Sequence, residues 1–233
     1  MPFVRRPALP YLEDGDGQYL SEAGFGRLGR RAKALGYRLL AYEFVDERQS
    51  ASPTPEQRTA MREEGQAHNL ATFVQDHPGA KLLVHVGYSH AAEVPRIDGA
   101  LWMAARLKDK TGVDPLTISQ TICRGGGVAI RLDALPADEP PGSFDLVVDH
   151  PAARFVRGRP AWRQRAGDRP VSIPGALHPA NGWRVVEARP VGESVASVPM
   201  DRVAIRAGED VALMPPPGRY RLRIIDVGSS RKP

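Results

Sequence analysis

Between Ser21 and Ile122, helix-spaced segments alternate with short apolar runs, and that alternation admits few folds. Residues Ser21 to Leu35 repeat Phe25, Leu28, Ala32 and Leu35 at helical spacing, with Gly36 as the stop. The run YRLLAYEF, Tyr37 to Phe44, reads as a strand buried on both faces. Thr54, Pro55 and Gln57 form a capping box with proline in the first turn, which opens a long helix from Pro55 to about His77. AKLLVHVG, 80–87, is a second strand of the buried type. IDGALWMAARLKDKTG predicts a third helix, capped by Asp98 and stopped by Gly112, and PLTISQTI predicts a third strand. Strict alternation predicts right-handed βαβ units: an α/β fold with a partial parallel sheet flanked by helices.

After Cys123 the pattern changes. GVAIRL and SFDLVVDH read as short strands, and FVRGRPAWRQRAGDRP is polar and broken by proline. From Gly182 onward, WRVVEARPV, DRVAIRAG, DVALMPPPG and RYRLRIIDVG are strands separated by Pro/Gly turns, which predicts an all-β accessory region. The expected division is an α/β domain over 1–165 and a small β-rich domain over 166–233.

Composition removes several classes of function. The net charge is +5, but the arginines are spread along the chain and interleaved with acids, which argues against nucleic acid as a partner. A single cysteine excludes an intrachain disulfide and a multi-cysteine metal site. No apolar stretch reaches membrane-spanning length. The opening MPFVRRPALPYLEDGDG lacks the apolar core of a secretory signal, so the default compartment is the cytoplasm, or the periplasm if the natural start lies upstream. Nothing in the pattern sets an oligomeric state.

Ligands of open parallel sheets bind beyond the carboxyl ends of the strands. Glu43 lies at the end of the first strand, and His90 lies just past the second, with Gly87 between to permit a tight turn. Glu63 falls on the core stripe of the long helix, with Ala60, Ala67, Leu70, Ala71 and Val74, where a carboxylate needs a reason to be. From Glu63 to His77 the helix descends about 21 Å, and the next strand climbs back about 23 Å, so Glu63 should arrive level with Gly87 and close to His90. Arg62, beside it, can pair with a carboxylate or an anionic ligand. Glu43, Glu63 and His90 therefore define a rim suited to general acid–base chemistry. His90 and Glu43 are also candidate ligands for a divalent metal. A small molecule or a peptide would suit such a rim.

These residues also carry a resemblance. The sequence resembles the superfamily of erythromycin esterases, haem-binding ChaN lipoproteins and TraB/Tiki proteins, which place Gly-x-x-His after a strand, here Gly87-Tyr88-Ser89-His90. Their helix pattern Arg-Asp-x-x-Met-Ala-x-x-Ile corresponds to REEGQAHNL, with Arg62, Glu63, Ala67 and Leu70 in register, Glu63 for Asp and Gln66 for Met. The resemblance covers roughly Ser21 to Thr121. It implies ester hydrolysis, metal-dependent proteolysis or haem binding, with a divalent metal ahead of haem as the cofactor. It further implies His90 as base or metal ligand, Glu63 as its orienting or ligating partner, Glu43 as a second carboxylate, and Arg62 as an anion-binding group. Relative to those families, GYRLLAYE matches a later strand, so this sequence is expected to be the second half of such a protein joined to a β-rich tail. The competing expectation is a non-catalytic binding or structural module that keeps the rim.

Other candidates are weaker. His68 and Glu64 form an i,i+4 pair expected to be solvated. Cys123 suits core packing better than nucleophilic catalysis, and RGGG after it is a turn. His85 reads as a core histidine, and His77 as a helix-end residue. Trp102 should pack the third helix, and Trp162 and Trp183 the β region.

Overall fold

The structure, a computed structural model, describes residues 8–44, 53–122 and 129–227. Its helices are α1 (Ala23–Ala34), α2 (Pro55–Asp76), α3 (Met103–Thr111) and the short α4 (Trp162–Arg165). Its strands are β1 (Ile118–Ile122), β2 (Arg131–Asp133), β3 (Leu146–Asp149), β4 (Phe155–Val156), β5 (Arg159–Pro160), β6 (Val171–Ser172), β7 (Trp183–Pro190), β8 (Asp201–Arg206), β9 (Ala212–Leu213) and β10 (Tyr220–Val227). Within the described residues the chain forms two compact units, 41–152 and 8–40 with 153–227. It is thus a mixed α/β chain with a β-rich C-terminal region. No described helix is long and apolar enough to cross a membrane.

In the 41–152 unit, α2 starts where the capping box predicts. Thr54 Oγ1 accepts from Gln57 N at 3.3 Å, and Gln57 Oε1 accepts from Thr54 N at 2.9 Å. Ala67, Leu70 and Ala71 of α2 pack against Met103 and Leu107 of α3, with Tyr42, Val84 and Val86 against the same core. Of the segments expected as the first two strands, neither joins a ladder among the described residues apart from a bridge at Leu40. Their burial is one-sided: Val84 and Val86 turn toward the helices, while Leu83 and His85 are exposed. A side-chain bond, Tyr42 Oη donating to His85 O at 3.3 Å, links the two segments. The third expected strand is β1. It pairs in parallel with β3, which pairs antiparallel with β2, in the order β1-β3-β2.

Helix α3 begins five residues after Asp98. Asp98 Oδ1 accepts from Ala100 N at 3.0 Å and closes a turn at Gly99, whose φ is +80°. The helix opens at Trp102, which offers no side-chain cap, and it ends at Gly112 in the left-handed conformation, as the sequence predicts.

In the other unit, α1 is capped by the Glu22 carboxylate, which accepts from Gly24 N and Phe25 N. Its buried face is Ala23, Gly26 and Gly29, whereas Leu28 and Leu35 of the expected apolar stripe are exposed. Close approach selects the small residues: a Cβ on Gly26 would lie 2.3 Å from Val198 Cγ1, and one on Gly29 would lie 2.4 Å from Leu12 Cδ1. Arg27–Asp168 and Arg30–Glu193 ion pairs, each 2.6 Å, tie α1 to the β-rich region. The units divide at 40/41 and 152/153, whereas the sequence predicts one break near Arg165.

The core of this unit is Ile173, Val186, Ala188, Val203, Ile205 and Leu213, built on the antiparallel sheet β10-β7-β8. Buried charges are matched. Arg163 pairs with Asp168 and Asp201 and donates to Met214 O, while Asp201 also accepts from Met214 N and pairs with Arg159. Glu187 accepts from Arg189 and Arg202. Trp183 carries the Arg206 guanidinium 3.9 Å from its ring centroid, and Trp162 stands exposed.

Candidate functional site

His90 sits on a single 3-10 turn, Tyr88–Ala91, that follows the extended segment 80–87. Gly87 enters this turn with φ −69°, an ordinary extended conformation, so the turn does not depend on glycine's freedom. Helix α2 brings Glu63 to the same place. The two Glu63 carboxylate oxygens lie 2.7 and 2.9 Å from His90 Nδ1. Glu63 is 1% exposed and the His90 side chain 16%, so the carboxylate is the inner member of the pair and the ring the outer one.

A third group fixes the carboxylate. Met103 N, the first free amide of α3, donates to Glu63 Oε2 at 2.8 Å. Glu63 thus caps a helix whose own N-cap residue, Trp102, provides no side-chain bond, and the helix's positive end favours the negative charge. The Trp102 ring meets the imidazole edge-on, with centroids 5.5 Å apart and planes at 84°. Packing and one hydrogen bond together orient His90. In the neutral ring, a carboxylate acceptor at Nδ1 favours the tautomer with Nδ1–H as donor and Nε2 as the lone-pair nitrogen. Among the described residues, no protein group bonds Nε2.

Glu43 does not join this pair. Its carboxylate is gripped by Arg62, with Nε at 3.0 and 3.1 Å from the two oxygens and Nη2 at 2.5 Å, and by Gln66 Nε2 at 2.8 Å. Burial opposes ionisation of Glu43, but the bonds from Arg62 and Gln66 outweigh it, and its pKa is lowered. Arg62 therefore forms an ion pair with Glu43 at the rim. Asn69 Nδ2 holds the same stretch by donating to Tyr42 O at 3.0 Å. The Tyr42 phenol feels both carboxylates. Burial, with Glu43 and then Glu63 adding negative potential, pushes its phenol up to about 12.

The rim is thus two dyads, Glu63–His90 and Glu43–Arg62, presented by adjacent residues of α2. Glu43 and His90 were candidate metal ligands. The structure sets Glu43 against a cation and His90 Nδ1 against Glu63, and among the described residues no group of three His, Cys, Asp or Glu side chains is arranged to hold a metal ion. The described donor set does not fit a metal centre.

Neighbouring residues complete the surroundings of the site. Tyr88, two residues before His90, donates to Glu139 Oε1 at 2.6 Å, and Arg96 grips the same carboxylate at 3.1 and 3.2 Å. Gln66 is buried on the α2 stripe one turn after Glu63, a polar residue on a core face that periodicity alone could have flagged. Glu64 pairs with Arg106 and Lys110 of α3, at 2.8 and 2.5 Å, while His68 stays exposed. His85, expected in the core, is also exposed. His77 ends α2 as expected, its Nδ1 3.1 Å from Phe73 O and its ring stacked on Phe73. Cys123 and the RGGG turn lie outside the described residues.

No protein-family model matches the chain, and comparison with curated proteins and with solved structures gives no match.

Proposed function

We propose that residues 41–152 are a hydrolase-like α/β domain of the erythromycin esterase, ChaN and Tiki type, with His90 as general base. Segments 41–44 and 80–87 are then read as positions that the fold fills with strands of a helix-flanked parallel sheet. The observation that carries the reading is the Glu63–His90 dyad: a buried carboxylate, anchored by a helix amide, holds one imidazole nitrogen while the other is unpartnered.

In this reaction His90 Nε2 takes a proton from water as the water oxygen bonds to the ester carbonyl carbon. Glu63 stabilises the imidazolium that forms. The tetrahedral adduct collapses by breaking its bond to the leaving oxygen, and His90 returns the proton to that oxygen. The Glu43–Arg62 pair sets the charge of the neighbouring rim. The substrate is a small-molecule or peptide acyl compound.

The test is hydrolysis of a panel of aryl and alkyl esters by the full chain and by His90→Gln. Turnover that falls about a hundredfold or more in the variant supports the base role. Turnover absent from both proteins, or equal in both, rejects it. One observation favours a second reading, a non-catalytic module: Glu63 has a structural task as the cap of α3, which alone would explain a buried carboxylate.

A further inference from the structure

Strand β10 is the edge of the sheet β10-β7-β8, and its register against β7 shows what that edge presents. Just ahead of the strand, Val191 N donates to Arg219 O at 2.9 Å, and the 219/191 pair continues the β10–β7 register. In an antiparallel ladder, residues two apart share this orientation. Arg221, Arg223 and Ile225 therefore direct their amides and carbonyls to β7. Leu222, Ile224 and Asp226 direct theirs outward, to the open edge.

The side chains divide in the same alternation. Leu222 and Ile224 lie opposite Ala188 and Val186 and so continue the core face of the sheet, yet each is 41% exposed, and among the described residues no further strand pairs with β10. The opposite face carries Arg219, Arg221 and Arg223, a cation about every 7 Å along the strand. None has a carboxylate of its own among the described residues. Arg219 makes no side-chain bond among the described residues, and Arg221 donates to a backbone carbonyl, Glu193 O. Arg223 lies 3.7 Å from Glu187, which Arg189 and Arg202 already bind.

We propose that the open edge of β10 is a docking site for an extended acidic strand of a protein partner. Apolar residues of that strand cover Leu222 and Ile224, and acidic residues at the alternate positions meet the arginine stripe. Its backbone pairs with the outward amides and carbonyls. The stripe alone would also suit a nucleic-acid backbone. The outward peptide groups and the uncovered apolar face favour a strand, since a phosphate chain satisfies neither.

The experiment is amide hydrogen exchange by NMR on the full chain, with short capped peptides alternating valine with glutamate or valine with lysine, and a single-stranded oligonucleotide. The acidic peptide should slow exchange at Leu222, Ile224 and Asp226 by about tenfold, and the lysine peptide should not. In the Arg221→Glu, Arg223→Glu variant, surface changes that leave the core intact, the preference should reverse to the lysine peptide. The proposal is overturned if the acidic peptide leaves those amides unprotected, if both peptides protect them equally, or if the oligonucleotide alone perturbs the arginine stripe.

Discussion

Glu63 is the residue on which the site turns, because it makes two bonds from a buried position. Removing its carboxylate leaves an amide and an imidazole nitrogen without acceptors inside the fold. Glu63→Ala should cost about 3 kcal/mol in urea unfolding, and Glu63→Gln, which keeps an acceptor, clearly less. Equal and small losses would show that the Met103 and His90 bonds contribute little. Glu43 gives a pH signature. Its pKa is lowered in the folded state, so the contribution of the Glu43–Arg62 pair is present above the unfolded carboxyl range and is lost as pH falls through the folded value. Carboxyl-carbon NMR should find Glu43 titrating below about 4.3, the ordinary glutamate value, and moving upward in Arg62→Ala. Titration unchanged by that substitution would mean that Arg62 does not set it. The convergence of Glu63 and His90 was legible in the sequence, because helix rise and strand rise alone bring them level. The Met103 amide was not, since it depends on where α3 starts, and the Asp98 turn moves that start.

At the scale of elements, local signals were faithful where the chain meets only itself. The Thr54–Gln57 box and Gly112 mark helix ends through contacts within a few residues, and both appear as read. Thr54→Ala should destabilise by about 1 kcal/mol, a loss measurable by urea titration. Signals that depend on neighbours in space were less faithful. An apolar run such as KLLVHVG fits a two-sided strand, yet only Val84 and Val86 find a core. The stripe of α1 was read from its large residues, whereas the packed face is the one small enough for Val198 and Leu12 to approach. Gly26→Ala gains helix propensity of about 1 kcal/mol but drives a methyl into Val198, so a net loss of about 2 kcal/mol is expected. A stabilised Gly26→Ala protein would place α1 differently from the structure.

For the whole molecule, two units with separate cores imply two unfolding events. Calorimetry should resolve two transitions, and Arg163→Ala, which takes one cationic partner from each of the buried Asp168 and Asp201, should lower only one of them. One transition that moves as a whole would contradict the division. The chemistry assigned to the 41–152 unit rests on the state of one ring, which nitrogen-15 NMR of the imidazole reads directly. In the full chain, at a pH where the ring is neutral, His90 should carry a bonded proton on Nδ1 and a lone pair on Nε2, and Glu63→Ala should abolish that pattern. A proton found on Nε2 in the native protein, with Nδ1 bare, would contradict the account.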